Sequence, residues 1–448
     1  MLTKEDNEIL TRVGPGTLMG NLLRRYWTPA LLSSEVPEPD SPPIRVRLLG
    51  EDLVAFRDTN GAVGLVKENC PHRGASLFFG RNEDCGLRCV YHGWKFDVNG
   101  NCVDMPSEPA ESVFKSKVHA LAYPTHESGG LIWTYMGPKE TMTGFRDFGS
   151  EALPRDKWRA NRLFVECNWM QSMEGNLDTS HISWLHQYFD VENYDDDGTD
   201  KPGYPTNKAS VYFWRHDRAP TLEIEDAWYG FRYAGLRTTP NGNTHARVTA
   251  YVMPYTTLVA TIPISTGGGL FVPRDDYSTW RFNYAVVPPE ADWSPREKAG
   301  NLFGMMPYQF FGGMNGITER KWTKENDYQI DRDVQKTQTY SGIPEFVSQD
   351  MAVTESMGPI YDRSQEHLGT TDKSVIRLRS VLIKAAKDLA NGVAPPAIDP
   401  AKSYNRIFGA EKVLAPGEDW RYLGTEADPI LHPKKHEEPV AATIESRE

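Results

Sequence analysis

Two short stretches decide what this chain is built around: Cys70-Pro71-His72-Arg73-Gly74 and Cys89-Val90-Tyr91-His92-Gly93-Trp94. Each offers one sulfur and one imidazole to a metal, and each ends in a glycine, which allows a tight backbone turn around sulfur. A Cys2His2 zinc site uses the same ligands, but zinc fingers take both cysteines from one turn and both histidines from a helix. One Cys and one His per turn instead favours a [2Fe–2S] cluster, with two Cys on one iron and two His on the other. A chance arrangement on surface loops is the third alternative.

Both loops closely resemble those of Rieske iron–sulfur proteins. Respiratory Rieske proteins add one cysteine to each loop and join them by a disulfide, but here those positions hold Ala75 and Tyr91. Trp94 stands where a serine usually donates to a cluster sulfide. Fewer donors imply a lower potential within the Rieske range of roughly −150 to +300 mV, so we expect a cluster that supplies reducing electrons. The remaining cysteines are expected to be free thiols: Cys85, Cys102 and Cys167.

Composition limits the classes of partner. The chain has 448 residues, enough for two or more domains, with 49 Lys and Arg against 61 Asp and Glu, a net charge of −12. Because no basic run is present, we expect no nucleic-acid partner. Five cysteines do not make a disulfide framework, which favours a reducing cytoplasm. The N-terminus lacks an apolar signal region, and no apolar stretch approaches membrane length, so we expect no membrane partner.

The patterning divides the chain into four parts. Residues 1–40 are predicted to be a helical segment packing on the second domain, and 41–155 an all-β domain carrying both metal loops. Residues 156–430 are predicted to form a second domain of antiparallel sheet and helices, followed by a polar tail at 431–448. Alternating apolar residues predict short strands in the first domain. The predicted fold class is therefore α+β.

A second metal motif lies in Asp178-Thr179-Ser180-His181-Ile182-Ser183-Trp184-Leu185-His186. On a regular helix Asp178 and His181 would share a face, whereas His186 would lie about 140° from His181. The helix must therefore distort or end near Trp184 if both imidazoles bind one ion. Two histidines and a carboxylate on one face of Fe(II) leave positions open for O2, as in non-haem oxygenases.

Together the motifs resemble the oxygenase component of Rieske non-haem iron aromatic-ring-hydroxylating oxygenases. The cluster and iron motifs all match that family, and the opening Glu5-Asp6-Asn7 through Arg24-Arg25-Tyr26-Trp27 is similar to its phthalate-dioxygenase branch. The resemblance implies a helix-grip (START-like) catalytic domain and two cofactors, the [2Fe–2S] cluster and Fe(II). It also implies that Asp178 bridges His92 of one subunit and His181 of the next, and hence a homotrimer or a multiple of one.

The third iron ligand is implied to be a carboxylate late in the chain. Asp350, in Ser348-Gln349-Asp350-Met351, matches the family context best. Asp327 is the rival, followed by Asp331 and Asp333.

The implied activity is that of a terminal oxygenase, which oxidises an aromatic substrate with O2. The chain lacks a flavin or nicotinamide fingerprint, so electrons from NAD(P)H must arrive through a separate reductase. The branch favours ring dioxygenation of a phthalate-like aryl carboxylate. O-demethylation or monooxygenation of methoxylated or ether-linked aromatics is the alternative, and an electron-transfer Rieske protein without oxygenase activity is the alternative of another class.

Substrate contacts have only weak signals. An aromatic-rich stretch, read as strand, could line a pocket, although most of these side chains are expected in the core: Tyr212, Phe213, Trp214, Trp228, Tyr229, Phe231 and Tyr233. Three arginines could clamp a carboxylate bidentately: Arg215, Arg237 and Arg247. Arg247 is the first choice.

Overall fold

The computed structural model describes residues 2–145, 148–150, 153–189, 202–203, 205, 207–260, 266–286, 316–317 and 320–429, and every structural statement below concerns these residues. The expected polar tail at 431–448 lies outside them.

Three small sheets carry the first metal motif. Their strands are β1 Trp27–Leu32, β2 Ile44–Leu48, β3 Glu51–Arg57, β4 Val63–Lys67, β5 Arg81–Glu83, β6 Gly86–Arg88, β7 Lys95–Phe96, β8 Cys102–Asp104, β9 Ala122–Tyr123, β10 Thr125–Ser128 and β11 Leu131–Tyr135. The strand orders are β1-β11-β10, β2-β3-β4-β9 and β5-β6-β7-β8. The first Cys–His loop lies between β4 and β5 and the second between β6 and β7, and Cys70 and Cys89 belong to the apolar cluster that joins these strands.

The N-terminal segment is not wholly helical. Two helices, α1 Lys4–Thr11 and α2 Leu18–Leu23, flank the predicted break at Gly14-Pro15-Gly16. Residues 27–32, however, form β1, which pairs antiparallel with β11 of the all-β part. This expectation was wrong because β1 is buried along almost its whole length and so lacks the polar–apolar alternation of a half-exposed strand. The domain boundaries at 41 and 155 stay predictions.

A large antiparallel sheet dominates the rest of the described chain. Its strands are β12 Trp158–Val165, β13 Thr221–Ala227, β14 Gly230–Thr238, β15 Thr244–Val252, β16 Thr256–Val259, β17 Thr266–Pro273, β18 Thr279–Val286, β19 Gly316–Ile317 and β20 Ala410–Leu414. The order is β13-β14-β15-β16-β17-β18-β12-β19, with β20 added beside β15. Every pairing described is antiparallel except that of β12 with β19.

Helices cover this sheet. They are α3 Trp169–Leu177, α4 Asn207–His216, α5 Arg332–Thr337, α6 Phe346–Ser356 and α7 Lys373–Ala390. Helix α3 packs on β16, β17, α6 and α7. The mixture of helices and antiparallel sheet confirms the α+β class. No helix among the described residues is long and apolar enough to span a membrane.

One part of the aromatic-rich stretch was misassigned. Tyr212, Phe213 and Trp214 lie on helix α4 rather than on a strand. Phe213 and Trp214 are buried, as are Ala209 and Ser210 one turn earlier. This helical spacing of buried positions prevails over the strand preference of aromatic side chains, since tertiary packing commonly overrides propensity.

Two candidate metal centres

The two Cys–His loops have the same backbone fold. In the first, the Gly74 amide donates to the Cys70 carbonyl at 2.9 Å, and in the second, the Gly93 amide donates to the Cys89 carbonyl at 2.9 Å. Both glycines are left-handed, with φ of 77° and 78°. A side chain at either position would be strained, so the sequence requirement for glycine follows from the turn itself.

Cysteines and histidines of the two loops face one another. Cys70 and Cys89 are 3% and 2% exposed, and burial together with the neighbouring Cys89 thiol raises the pKa of Cys70 to about 11. The His72 and His92 ring centroids lie 4.4 Å apart. Nδ1 of His92 is buried and has no hydrogen-bond partner. Two buried sulfurs beside an imidazole nitrogen without a hydrogen-bond partner fit a site completed by metal cations, which bind cysteine as the thiolate.

The spread of these four side chains bears on the choice between zinc and a cluster. Ligands of one zinc ion lie about 2.0 to 2.3 Å from it, so their donor atoms are mutually close. Among the described residues, the one group of three or more whose donor atoms all lie within 4.8 Å of one another is His181, His186 and Asp350. The two Cys–His loops are spread more widely, as two bridged irons require.

Trp94 supports the second loop without donating towards the sulfurs. Its ring stacks on His72 at 4.2 Å with an interplanar angle of 12°. Its indole N–H is used elsewhere, donating to Ser107 Oγ at 3.0 Å. The low reduction potential remains a prediction, and the geometry agrees with its premise of fewer donors.

The second centre brings together the two predicted histidines and one predicted aspartate. Nε2 of His181 and Nε2 of His186 lie 3.5 Å and 3.0 Å from Oδ1 of Asp350. The buried His186 Nε2 nevertheless has no partner in hydrogen-bond geometry. Burial alone would raise the pKa of Asp350, but the two imidazoles and Arg281 lower it to about 2. An ionised carboxylate beside an uncommitted nitrogen is a donor set that fits Fe(II).

The backbone reaches this geometry earlier in the chain than expected. Helix α3 ends at Leu177, and Asp178 is already extended, with φ −68° and ψ 134°. Its carboxylate accepts from the backbone amides of Ser180 and His181 at 2.8 and 3.0 Å. The prediction that Asp178 and His181 share a helix face was therefore wrong: an Asx-type turn competes with the helix and redirects the chain before the histidines.

Rival carboxylates lie away from the histidines. Asp327 and Asp333 are exposed. Asp331 caps helix α5, accepting from the Asp333 and Val334 amides. Asp350 lies on α6, which packs against α3.

Asp178 holds the outer nitrogen of one histidine. Its Oδ2 lies 3.3 Å from His181 Nδ1. Burial lowers the pKa of His181, but the Asp178 and Asp350 carboxylates together outweigh it, so the net shift is upward. The bridge from Asp178 to His92 of another subunit stays a prediction.

Two further residues contact the candidate ligands and were missed from sequence. Gln349 Oε1 lies 2.6 Å from His186 Nδ1, and Arg281 Nη1 lies 3.6 Å from Asp350 Oδ2. The sequence could have indicated Gln349, because it precedes Asp350 and neighbours of a helical ligand can reach the same site. No sequence pattern indicates Arg281, since only the register of strand β18 brings it to Asp350.

The three arginines proposed to bind substrate differ in the hydrogen bonds that their guanidinium groups donate. Arg237 donates to the Thr179 carbonyl at 2.6 Å, and Arg215 donates to the Phe189 carbonyl at 3.1 Å. Arg247 is buried on β15, and with the described residues it makes one long hydrogen bond, 3.4 Å to the Ala260 carbonyl, while its Nε finds no partner among them. Its positive charge acts on His181, where it opposes the upward shift of the pKa.

Most of the aromatic-rich stretch belongs to the core, as expected. Tyr229, Phe231 and Tyr233 lie in the main apolar cluster. Trp214 differs, because the Arg247 guanidinium lies 5.4 Å from its ring centroid and its indole nitrogen is buried without a partner.

Comparison with known proteins shows which family the chain belongs to. The family profile "Rieske [2Fe-2S] domain" matches residues 26–122, and "LigXa C-terminal domain like" matches residues 134–442. The phthalate 4,5-dioxygenase oxygenase subunit of Pseudomonas putida is 38% identical over 431 residues, covering 94% of each chain. The 3-chlorobenzoate-3,4-dioxygenase oxygenase subunit of Comamonas testosteroni is 37% identical, covering 94% of this chain and 97% of its own.

A solved structure shows the same fold. Dicamba monooxygenase bound to 3,6-dichlorosalicylic acid superposes with a TM-score of 0.55 at 19% identity, covering 82% of this chain and 98% of that one. The family's cofactors are the Rieske [2Fe–2S] cluster and a mononuclear non-haem iron. Its oxygenase components act in multicomponent systems that deliver electrons from separate proteins. The chain belongs to the Rieske non-haem iron aromatic-ring-hydroxylating oxygenases, and it is a terminal oxygenase of that family.

Proposed function

We propose that this oxygenase oxidises an aryl carboxylate, and that it does so by ring dioxygenation of the phthalate type. The observation that carries the proposal is the buried and largely unsatisfied guanidinium of Arg247 near the second metal centre. The phthalate and chlorobenzoate activities of the two relatives support the same substrate class.

Arg247 is a buried cation that forms no ion pair among the described residues, although its charge helps to lower the pKa of Glu411, the residue opposite it on β20. Among the described residues no carboxylate lies within ion-pair distance of it. The nearest strand neighbour, Glu411 on β20, accepts instead from Ser210 Oγ at 2.7 Å and lies 3.4 Å from His245. Buried charges are normally paired, and a guanidinium matches a carboxylate bidentately. A substrate carboxylate would complete this pairing.

The geometry supports the following residue roles. In this proposal the [2Fe–2S] cluster is held by Cys70, His72, Cys89 and His92, and the Fe(II) by His181, His186 and Asp350. When bound, these groups supply electron transfer and O2 activation. Asp178 orients His181, and Arg247 orients the substrate.

The assembly and electron supply belong to the same proposal. Asp178 accepts from the Ser180 amide, the His181 amide and the outer nitrogen of His181, which leaves one lone pair, on Oδ1, for a second imidazole. In a homotrimer or a trimer multiple that imidazole would be His92 of a neighbouring subunit. Electrons would come from NAD(P)H through a separate reductase, in the cytoplasm.

The substrate class is tested by pairing a substrate change with a variant. Phthalate, its neutral diamide and an aryl methyl ether are offered to the wild type and to Arg247→Met. Losing a charge-assisted hydrogen bond of about 1.5 to 3 kcal/mol should raise KM for phthalate by about 10- to 150-fold. The exposed Arg406→Met variant, whose partner is Glu426, should change nothing.

The products separate the remaining alternatives. Incorporation of both atoms of 18O2 into the ring supports the proposal. Formaldehyde from the methyl ether, with no turnover of the carboxylate, would establish O-demethylation instead. An electron-transfer protein would hold only the two irons of its cluster, whereas the oxygenase should hold one additional iron that is lost in His181→Ala.

A further inference from the structure

Helix α6 presents more than one side chain to the candidate ligand His186. Phe346, Gln349 and Asp350 are spaced i, i+3 and i+4 and therefore share one face of the helix. The Phe346 ring stacks on the His186 ring at 3.6 Å with an interplanar angle of 19°. Gln349, which is 3% exposed, approaches the opposite ring nitrogen from the one that faces Asp350.

The orientation of the Gln349 amide is fixed by a second hydrogen bond. Its Nε2 donates to the Ile343 carbonyl at 2.8 Å, and a carbonyl oxygen can only accept. The amide oxygen must therefore be the atom that faces His186, where Oε1 lies 2.6 Å from Nδ1. An acceptor at that distance requires the proton of the neutral imidazole to lie on Nδ1.

From this geometry we propose that Gln349 is a positioning residue for the mononuclear iron, fixing His186 as the Nδ1–H tautomer with the Nε2 lone pair aimed at the metal. The inference rests on the proposed role of His186 as an iron ligand. Outer hydrogen-bond partners of this kind fix ring orientation, and their loss typically costs about 10- to 100-fold in metal affinity.

The two histidines are thereby oriented by different groups. His181 has a carboxylate at its outer nitrogen, Asp178 at 3.3 Å, whereas His186 has a neutral amide. A neutral acceptor fixes the tautomer without adding negative charge to a site that already holds Asp350. Gln349 therefore acts on the geometry of His186, and its contribution is separate from that of Asp178.

Fe(II) binding to the full-length protein tests the role directly. Mononuclear iron is removed with a chelator under conditions that retain the cluster, and Fe(II) is titrated back without oxygen against a chromophoric chelator. Gln349→Leu removes the acceptor and should weaken Fe(II) binding about 10- to 100-fold. Gln349→Glu keeps an acceptor oxygen and should restore most of the affinity. Electron paramagnetic resonance of the nitric oxide adduct should show an altered iron environment in Gln349→Leu alone.

A buried glutamine elsewhere supplies the matched control. Gln171 is 1% exposed and donates to the carbonyls of Thr354 and Gly358 without contacting a candidate ligand. Gln171→Leu should lower thermal stability yet bind Fe(II) as the wild type does. Equal losses of affinity in Gln171→Leu and Gln349→Leu would overturn the inference, as would wild-type affinity in Gln349→Leu.

The remaining outcomes are also decisive. If Gln349→Leu does not fold, Gln349→Asn is used, because it keeps an amide but withdraws the amide oxygen by one methylene. Wild-type affinity of Gln349→Asn for Fe(II) would overturn the inference, and weakened affinity would support it. His186→Ala separates this inference from the proposed function. If His186→Ala binds Fe(II) normally, the ligand assignment fails; if it does not and Gln349→Leu does, only the role of Gln349 fails.

Discussion

Glu174 lies one turn before the end of α3, at the centre of a buried network of charged side chains. Disrupting this network should strongly destabilise the catalytic part of the chain. Its carboxylate accepts from Arg363 Nη2 at 2.9 Å and from Arg379 Nε at 2.7 Å. Arg379 also pairs with Glu366. The network contains two cations and two anions, so Glu174→Gln leaves one buried positive charge without compensation.

The size of the effect follows from that imbalance. Removing one partner of a buried ion pair costs about 3 to 5 kcal/mol. At about 2 to 4 °C per kcal/mol for a domain of this size, the thermal midpoint should fall by roughly 6 to 20 °C. Glu426→Gln, which breaks the exposed pair with Arg406, should cost no more than about 1 kcal/mol.

The stability lost in Glu174→Gln should also depend on pH and should be smaller in acid. Burial raises the pKa of Glu174, but Arg363 and Arg379 outweigh it, so the folded pKa lies below its ordinary value. Its contribution to stability is therefore complete above the unfolded pKa of about 4.3 and is lost as pH falls through the folded pKa. Thermal unfolding followed by far-ultraviolet circular dichroism should show a lower midpoint for Glu174→Gln than for the wild type at neutral pH. The difference between the two midpoints should become smaller in acid. A midpoint unchanged at neutral pH would refute the reasoning.

Two further predictions concern one candidate metal centre each. Gly93→Ala should lose most of the cluster, because at this positive φ a Cβ would lie 2.6 Å from Pro106 Cγ. The Cβ of Gly74→Ala would meet no atom within 4 Å, so this variant should keep more of the cluster. Equal iron and sulfide contents in the two variants would contradict the prediction. Asp178→Asn should retain both metal centres but greatly slow electron delivery, since an amide is a weaker acceptor for the His181 N–H. Single-turnover oxidation of the cluster measures this, and a wild-type rate would argue against a role for Asp178.

Much of the site was readable from local sequence because short segments carry it. Each Cys–His loop closes its own turn through a glycine, and the spacing of His181 and His186 needed only a break in the helix to bring the rings together. The break came at Asp178 rather than near Trp184, because the Asp178 side chain binds the following amides and competes with the helix. Strand β1 was missed for a similar reason: burial on both faces removes the alternation by which strands are recognised.

The sequence by itself determined the chemistry of this protein: two Cys–His loops, a pair of histidines and the order in which they occur, since ligand type and turn geometry are local properties. Tertiary structure alone decided which distant residues complete each centre. Asp350 meets His186 because α6 packs on α3, and Gln349 and Arg281 reach the same ligands through helix packing and strand register. Arg247 likewise forms no ion pair with a described residue, because the fold directs the Glu411 carboxylate towards Ser210 and His245. Such pairings join residues far apart in the chain, and no local pattern records them.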